Sequence, residues 1–202
     1  MGEVHDTSVA APSRGPRADA RRNIAAILDA ARDALIDDPD ATVAQIAKRA
    51  GVGRVTLYGH FATRAELVDA VFAQVSEEAD TVLEGVDTSG DPVEAVTRLV
   101  NATWQLVHRA RSLVAAVERE LPPERVRQHH DRHLARATEL IRRGRAQGAF
   151  RSDLPEQWLA TTMYTLMHAA AAEVRAGRLD GADAGPTVAA TLISAWAPPG
   201  QE

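Results

Sequence analysis

The sequence predicts an all-α fold, an N-terminal three-helix helix-turn-helix domain followed by a larger helical domain. Three observations predict it. Apolar residues recur at spacings of three, four and seven along most of the 202 residues, and no stretch alternates as a half-buried strand would. Start and stop signals (DDPDAT, AGVG, SGDP, LPPE, LDGADAG) fall between these periodic stretches. Within TVAQIAKRAGVGRVTLYGHFATRAEL, two short helices close around a tight glycine turn, and the second is unusually polar.

The expected organisation is a flexible basic arm over 1–20, the helix-turn-helix domain over 21–66 and the larger helical domain over 67–198. The chain is long enough to bury a sizeable core, although the front unit needs its neighbour for support. No apolar run approaches 18 residues, and MGEVHDTSVAAPSRGPRADARR lacks the apolar centre of a signal peptide, so a soluble, cytoplasmic protein with no membrane partner is expected. The absence of cysteine excludes disulfides, thiol nucleophiles and thiolate metal sites. Net charge is -5, but residues 1–64 carry 9 basic and 8 acidic side chains while residues 65–202 carry 14 and 20. Attraction to phosphate must therefore be local. Arg14, Arg17, Arg21 and Arg22 are opposed only by Asp19, which makes the arm suited to a groove or backbone contact.

The first helix is expected over Asn23–Ile36, with Ile24, Ile27, Leu28, Ala31 and Leu35 inward and Asp37, Asp38 and Pro39 as its stop. Thr42 can cap a second helix in a capping box with Gln45, placing Val43, Ile46, Ala47 and Ala50 inward. Gly51 falls where the helix must end in a left-handed residue, and Val52 packs back to close the turn. The third helix spans Arg54–Phe61. Its apolar members Val55, Leu57, Tyr58 and Phe61 cannot share one narrow stripe, and Tyr58, with a phenol to offer phosphate, is the expected outlier. Gly53, Arg54, Thr56 and Gly59 leave a surface that a duplex can approach closely. Arg54 suits a guanine edge or a phosphate, and Thr56 suits a phosphate or a thymine methyl. His60 suits either a phosphate or a helix-end hydrogen bond. Thr63 caps the fourth helix with Glu66, and Arg64 in its first turn opposes the helix dipole unless an anion sits nearby.

From Arg22 to Val71 these residues closely resemble the TetR family of transcriptional regulators. RNIAAILDAARDALIDD matches the family's opening helix, TVAQIAKRAGV its second, and GRVTLYGHFATRAELVDAV its recognition helix and exit. AxxAGV followed by TLYxHF and a capped basic position is far more specific than a generic helix-turn-helix. The resemblance implies a sequence-specific DNA-binding regulator, a repressor released from its operator by a small, largely apolar ligand. It implies DNA contacts from Thr42, Arg54, Thr56, Tyr58, His60 and Arg64, beside Arg17, Arg21 and Gly53 from the residue pattern, and a core of Ile46, Ala47, Ala50, Leu57 and Phe61. Two departures stand out: the link DDPDAT is shorter than the common form and lacks its Gly and aromatic, and Arg64 replaces the frequent Lys, keeping the charge but changing its geometry.

Behind the front unit, a helix from Glu66 to about Leu83 carries Leu67, Val71, Val75, Ala79 and Val82. Pro92 suits the first turn of the next, which Val93, Val96, Leu99, Val100, Thr103, Trp104 and Val107 make amphipathic. A short helix over 111–120 is broken by Pro122 and Pro123. One long arginine-rich helix follows over 124–148, then helices over 156–176 and 187–196 separated by a loop. The run Ala169–Ala172 and the smooth TVAATLISAWA predict a homodimer through these last two helices, with two reading heads matched to a palindromic operator. A ligand chamber is expected from Trp104, His108, Val114, Glu118, Met163 and Met167, with His133 a further candidate; tryptophan and methionine supply adaptable apolar surface, and His108 with Glu118 could orient a polar group.

His129, His130 and His133 beside Asp131 invite a metal reading, but the polar stretch around them predicts a solvated helix face. No metal, cofactor or catalytic residue is expected, because HExxH, GxSxG and Ser-His-Asp spacings are absent. The rival readings are a regulator of the same fold without a ligand, which a filled core would favour over a cavity, and, more remotely, a small-molecule enzyme.

Overall fold

The structure, a computed structural model, describes residues 16–200, with side chains from residue 20 onward. Its helices are α1 (Pro16–Asp37), α2 (Val43–Arg49), α3 (Arg54–His60), α4 (Arg64–Glu84), α5 (Pro92–Arg109), α6 (Arg111–Glu120), α7 (Pro123–Gln128), α8 (Asp131–Ala146), α9 (Glu156–Arg175) and α10 (Gly181–Trp196). Among the described residues there is no strand, and no helix is long and apolar enough to cross a membrane.

Local chemistry sets the front elements. Thr42 and Gln45 form a reciprocal capping box: the Gln45 amide donates to Thr42 Oγ1 at 3.3 Å, and the Thr42 amide donates to Gln45 Oε1 at 2.6 Å. Gly51 adopts φ +69. The Val52 amide then reaches back to the Ala47 carbonyl at 3.0 Å and the Gly51 amide to that of Lys48 at 3.2 Å, which satisfies carbonyls otherwise orphaned at the end of α2. At α4, Thr63 Oγ1 accepts from the Glu66 amide at 3.1 Å, while Glu66 accepts from Ala62 rather than from the cap residue.

α1 corrects the expected arm. It begins at Pro16, not near residue 23, because proline is tolerated in a first turn and the Ala- and Arg-rich residues that follow are good helix formers. Residues 16–20 of the expected arm are therefore helical. Residues 1–15, with Arg14, lie outside the described residues, as does the side chain of Arg17; Arg21 is exposed on α1.

The front core does not close on the front unit alone. Ile27, Ala31, Ala34 and Leu35 of α1, Ile46 and Ala47 of α2, Leu57 of α3 and Leu67, Val68, Val71 and Phe72 of α4 pack with Leu113, Ala116 and Val117 of α6, Leu121 after it and Val126 of α7. The proposed domain boundary at residue 66 thus crosses a shared core. On α4 the inward residue near the end is Leu83, 2% exposed; Val82, placed inward from the sequence, is 53% exposed.

The back core joins α5, α8, α9 and α10. α10 begins at Gly181, where the sequence suggested a loop up to Thr187, and it continues through Pro186. The reason is tertiary: a Cβ at Gly181 would lie 2.5 Å from His108, and one at Gly185 would lie 2.8 Å from Asn101 and 3.0 Å from Trp104. The two glycines let α10 press onto α5, and Asp180 caps the new start by accepting from the Ala182 amide. Similarly, Gly144 on α8 leaves space for Phe150, whose ring stacks edge-on against Trp196.

The helix expected over 124–148 is also divided. It breaks at His129 and His130 into α7 and α8, because both imidazoles turn inward.

We predict that Gly144→Ala lowers the urea midpoint. A Cβ there would lie 2.0 Å from the Phe150 ring, and overpacking of this kind costs about 1–3 kcal/mol, against a gain of about 1 kcal/mol in helix propensity. Gly59→Ala, in open space on α3, serves as the control and should raise the midpoint.

Candidate nucleic-acid interface and buried chamber

α3 has a single buried residue, Leu57, 1% exposed. Half-buried Phe61 packs beside it, and the rest of the helix faces outward. Arg54 is exposed, and among the described residues no ion pair engages it. Thr56, Gly53 and Gly59 are exposed, Tyr58 is 49% exposed and His60 is half-buried at the last turn. Thr42 lies exposed at the start of α2, its hydroxyl engaged with Gln45. The residue sequence reasoning missed is Val55, 88% exposed. Its position held the signal, since two residues before Leu57 is about 200° around a helix, the face opposite the core.

Arg64 requires a correction. Expected as a phosphate contact, it is 23% exposed and directed inward: Nε donates to Glu120 Oε1 at 2.8 Å, Nη2 to the Pro39 carbonyl at 2.9 Å, and Nη1 to the Ala41 carbonyl. Arg119 joins it, with Nη1 2.8 Å from Asp40 and Nη2 donating to the same Pro39 carbonyl at 2.8 Å. Two arginines therefore hold the short link between α1 and α2 against the end of α6. The charge that opposes the α4 dipole is compensated by carbonyls and Glu120, a partner 56 residues away that no local pattern announces.

A chamber enclosing about 100 Å³ lies between α4, α5, α6, α8 and α9. Its walls are Phe72, Val75, Ser76, Ala79 and Leu83 of α4; Thr103, Leu106 and Val107 of α5; Val114 of α6, with Ala110 before it; His133, Leu134 and Ala137 of α8, with His130 before it; and Met163, Tyr164, Met167 and His168 of α9. Val114, Met163, Met167 and His133 were expected there. Trp104, His108 and Glu118 were also expected and are not among the lining residues. Trp104 is buried against α10, its Nε1 donating to the Gly181 carbonyl at 2.8 Å, and His108 packs beside it with ring centroids 5.7 Å apart. Glu118 instead pairs with His168 Nδ1 at 3.0 Å and Arg175 at 3.2 Å. These contacts, His168 foremost, hold its carboxyl below the usual carboxylate range. His108 and Glu118 do not form the orienting pair that the sequence suggested.

The histidines form no solvated face. His129 Nε2 contacts Asp69 of α4 at 2.8 Å, and Arg125 grips the same carboxylate at 2.8 and 2.7 Å, which depresses its pKa. His130 sits at the centre of a ring cluster, edge-on to Tyr164 at 5.1 Å and near Phe72 at 5.6 Å and His168 at 5.4 Å. Burial pushes its pKa down to about 4, although its Nδ1 contact to the Val126 carbonyl opposes the shift. The polar neighbours in sequence masked this, because the apolar shell comes from α4 and α9.

With the geometry in place, likeness to known proteins becomes informative. The model of the bacterial regulatory proteins of the tetR family matches residues 27–71, which spans the second half of α1 through the first third of α4. Over these residues the chain is similar to the DNA-binding region of the TetR family of transcriptional regulators. The transcriptional repressor LfrR of Mycolicibacterium smegmatis is 39% identical over 75 residues, 37% of this chain and 40% of that one, so the matched part is under half of the relative's length. The transcriptional regulator NfxB of Pseudomonas aeruginosa is 25% identical over 161 residues, 77% of this chain and 84% of that one. Among solved structures, LfrR from Mycobacterium smegmatis in complex with proflavine superposes with a TM-score of 0.64 at 27% identity, covering 89% of this chain and 97% of that chain.

Two predictions test this geometry. Arg64→Ala should lower folding stability by about 1–3 kcal/mol, the cost of breaking partly buried charge-assisted bonds, whereas Arg54→Ala should leave the thermal midpoint near that of the parent; calorimetry separates the two. The His130 pKa is lower in the folded state than its ordinary 6.5, so its contribution is intact above pH 6.5 and is lost as pH falls toward 4, by about 3 kcal/mol at the bottom of that window. The depressed carboxyls of Asp69 and Glu118 act only at lower pH. Urea unfolding between pH 7.5 and 4.5 should therefore show a steep loss that is shallower in His130→Phe.

Proposed function

We propose that the chain is a homodimeric repressor that binds a palindromic operator and leaves it when a small, largely apolar ligand enters the chamber. The observation that carries this reading is that the helices walling the chamber, α4 and α6, also complete the core of the reading head. A ligand that fits better when these helices move favours a state in which the two recognition helices no longer match successive major grooves. The open chamber favours this over the ligand-free rival. The repressor name of LfrR and its solved complex with proflavine support it. For the dimer, support comes from the outer faces of α9 and α10, where Trp158 is 55% exposed beside the small exposed residues Thr165, Ala169, Ala190 and Ser194.

In this reading Arg54 and Thr56 read base edges, Val55 meets a thymine methyl, and Thr42, Tyr58 and His60 position the head on phosphates. Arg21 extends along the duplex from α1, with Arg17 of the same helix a further candidate contact, while Gly53 permits close approach. Arg64 acts indirectly, by holding the head.

The test is selection of bound duplexes from a random pool, followed by titration of the selected site at several salt concentrations. A palindrome whose affinity falls steeply with salt is expected. Arg54→Ala should relax site preference. Replacing one thymine per half-site by uracil should weaken the parent but not Val55→Ala. Recovery of no enriched sequence overturns the reading.

A further inference from the structure

Resting on the chamber as the effector site, one wall residue specifies more of the ligand. His129, His130 and His168 each have a ring nitrogen engaged, with Asp69 at 2.8 Å, the Val126 carbonyl at 2.8 Å and Glu118 at 3.0 Å. His133 differs. It lines the chamber, its side chain is 14% exposed, and both ring nitrogens are buried without a hydrogen-bond partner. The nearest polar group is Asp80 of α4, 13% exposed, with Oδ1 3.3 Å from His133 Nε2 but outside hydrogen-bond geometry.

That carboxylate decides which nitrogen carries the proton. A neutral imidazole has one N–H and one lone pair, and the N–H is favoured at Nε2, facing Asp80. Nδ1 is then an acceptor with nothing to accept from. A buried polar atom left in this state is costly, and none of the wall's hydroxyls bonds to it: Thr103 is committed to the Leu99 carbonyl at 2.8 Å, and neither Ser76 nor Tyr164 is a partner of Nδ1.

Size and wall chemistry bound the rest. About 100 Å³ is below the usual range of about 300–1,000 Å³ for drug-sized pockets and comparable with apolar cavities of about 150 Å³ that hold one benzene ring. Phe72, Tyr164 and His130 offer ring edges and faces, and Met163 and Met167 adapt to the outline of a guest. An anion is disfavoured by Asp80 on one side and Glu118 beyond His168 on the other. A cation gains little from Asp80, which already has His133 and, at 3.6 Å, Arg132 beside it.

We infer that the chamber takes a compact neutral ligand, one aromatic ring in size, carrying a single hydroxyl or amine N–H that donates to His133 Nδ1. The ring fills the apolar space between α4 and α9, and the donor supplies the missing bond to α8. Because Asp80, which faces His133, and the wall residues Phe72, Val75 and Ala79 all lie on α4, occupancy is registered on the helix that enters the reading head.

Phenol and toluene, nearly equal in size and differing in the hydroxyl, are the probes. Calorimetric titration of the full chain at neutral pH should show phenol bound roughly tenfold more tightly than toluene, the scale of one buried hydrogen bond. His133→Leu should bring the ratio close to one while retaining toluene binding. Equal affinities in the parent, a ratio that survives in the variant, or no binding of either probe at millimolar concentration would each overturn the inference. Should the variant misfold, nitrogen-15 spectra of the labelled parent decide: His133 Nδ1 should shift with phenol and not with toluene, and an unmoved resonance refutes the contact. Operator selection is independent of this ratio. A selected palindrome with no phenol preference removes the ligand class alone, and a phenol preference without a palindrome removes the regulator reading alone.

Discussion

The architecture depends on α6 serving both the front core and the wall of the chamber. Leu113, Ala116 and Val117 are sealed into the front core with α1 and α4, while Val114, on the neighbouring face, walls the chamber together with Ala110 just before the helix. The C-terminal end of the same ten-residue helix carries Arg119 and Glu120, which hold the link between α1 and α2 and the first turn of α4. A short helix buried on two sides cannot shift at one end and stay fixed at the other, since close-packed interiors transmit displacement. The packing of the chamber wall and the position of α3 are therefore mechanically linked.

α4 is the second member of this linkage. Its first half contributes Leu67, Val68, Val71 and Phe72 to the front core, and its second half contributes Val75, Ser76, Ala79 and Leu83 to the chamber wall. Asp69 fastens it to α7 through Arg125 and His129, and Glu78 fastens it to α1 through Arg32 at 3.0 Å. These pairs are partly exposed and contribute modestly to stability. Their weight is geometric, because they fix the angle at which α4 leaves the reading head.

The division of roles among the arginines follows from the same packing. Arg54 and Arg64 lie ten residues apart on either side of one turn, and both suit phosphate. Only Arg54 keeps its guanidinium outside; Arg64 is drawn in by two backbone carbonyls and a carboxylate. The shortened link between α1 and α2 explains the difference, because its carbonyls at Pro39 and Ala41 lie within reach of α4.

By itself the sequence determined what depends on neighbours within a few residues. The caps at Thr42 and Thr63, the left-handed turn at Gly51, Pro92 in a first turn, the helical periods and the inward set Ile46, Ala47 and Leu57 are local hydrogen bonding and periodicity, and the structure keeps them. The resemblance to the TetR family was legible for the same reason, since its motif lies in one continuous stretch. Tertiary structure decided what depends on remote partners. The inward turn of His129 and His130 was set by α4 and α9, the engagement of Arg64 by α6 and the link between α1 and α2, the withdrawal of Trp104 from the chamber by α10, and the helical start at Gly181 by α5. In each case the deciding contact comes from a segment distant in sequence, and at His129, His130, Arg64 and Gly181 burial overrode a polar or glycine-rich local pattern that by itself indicated solvent.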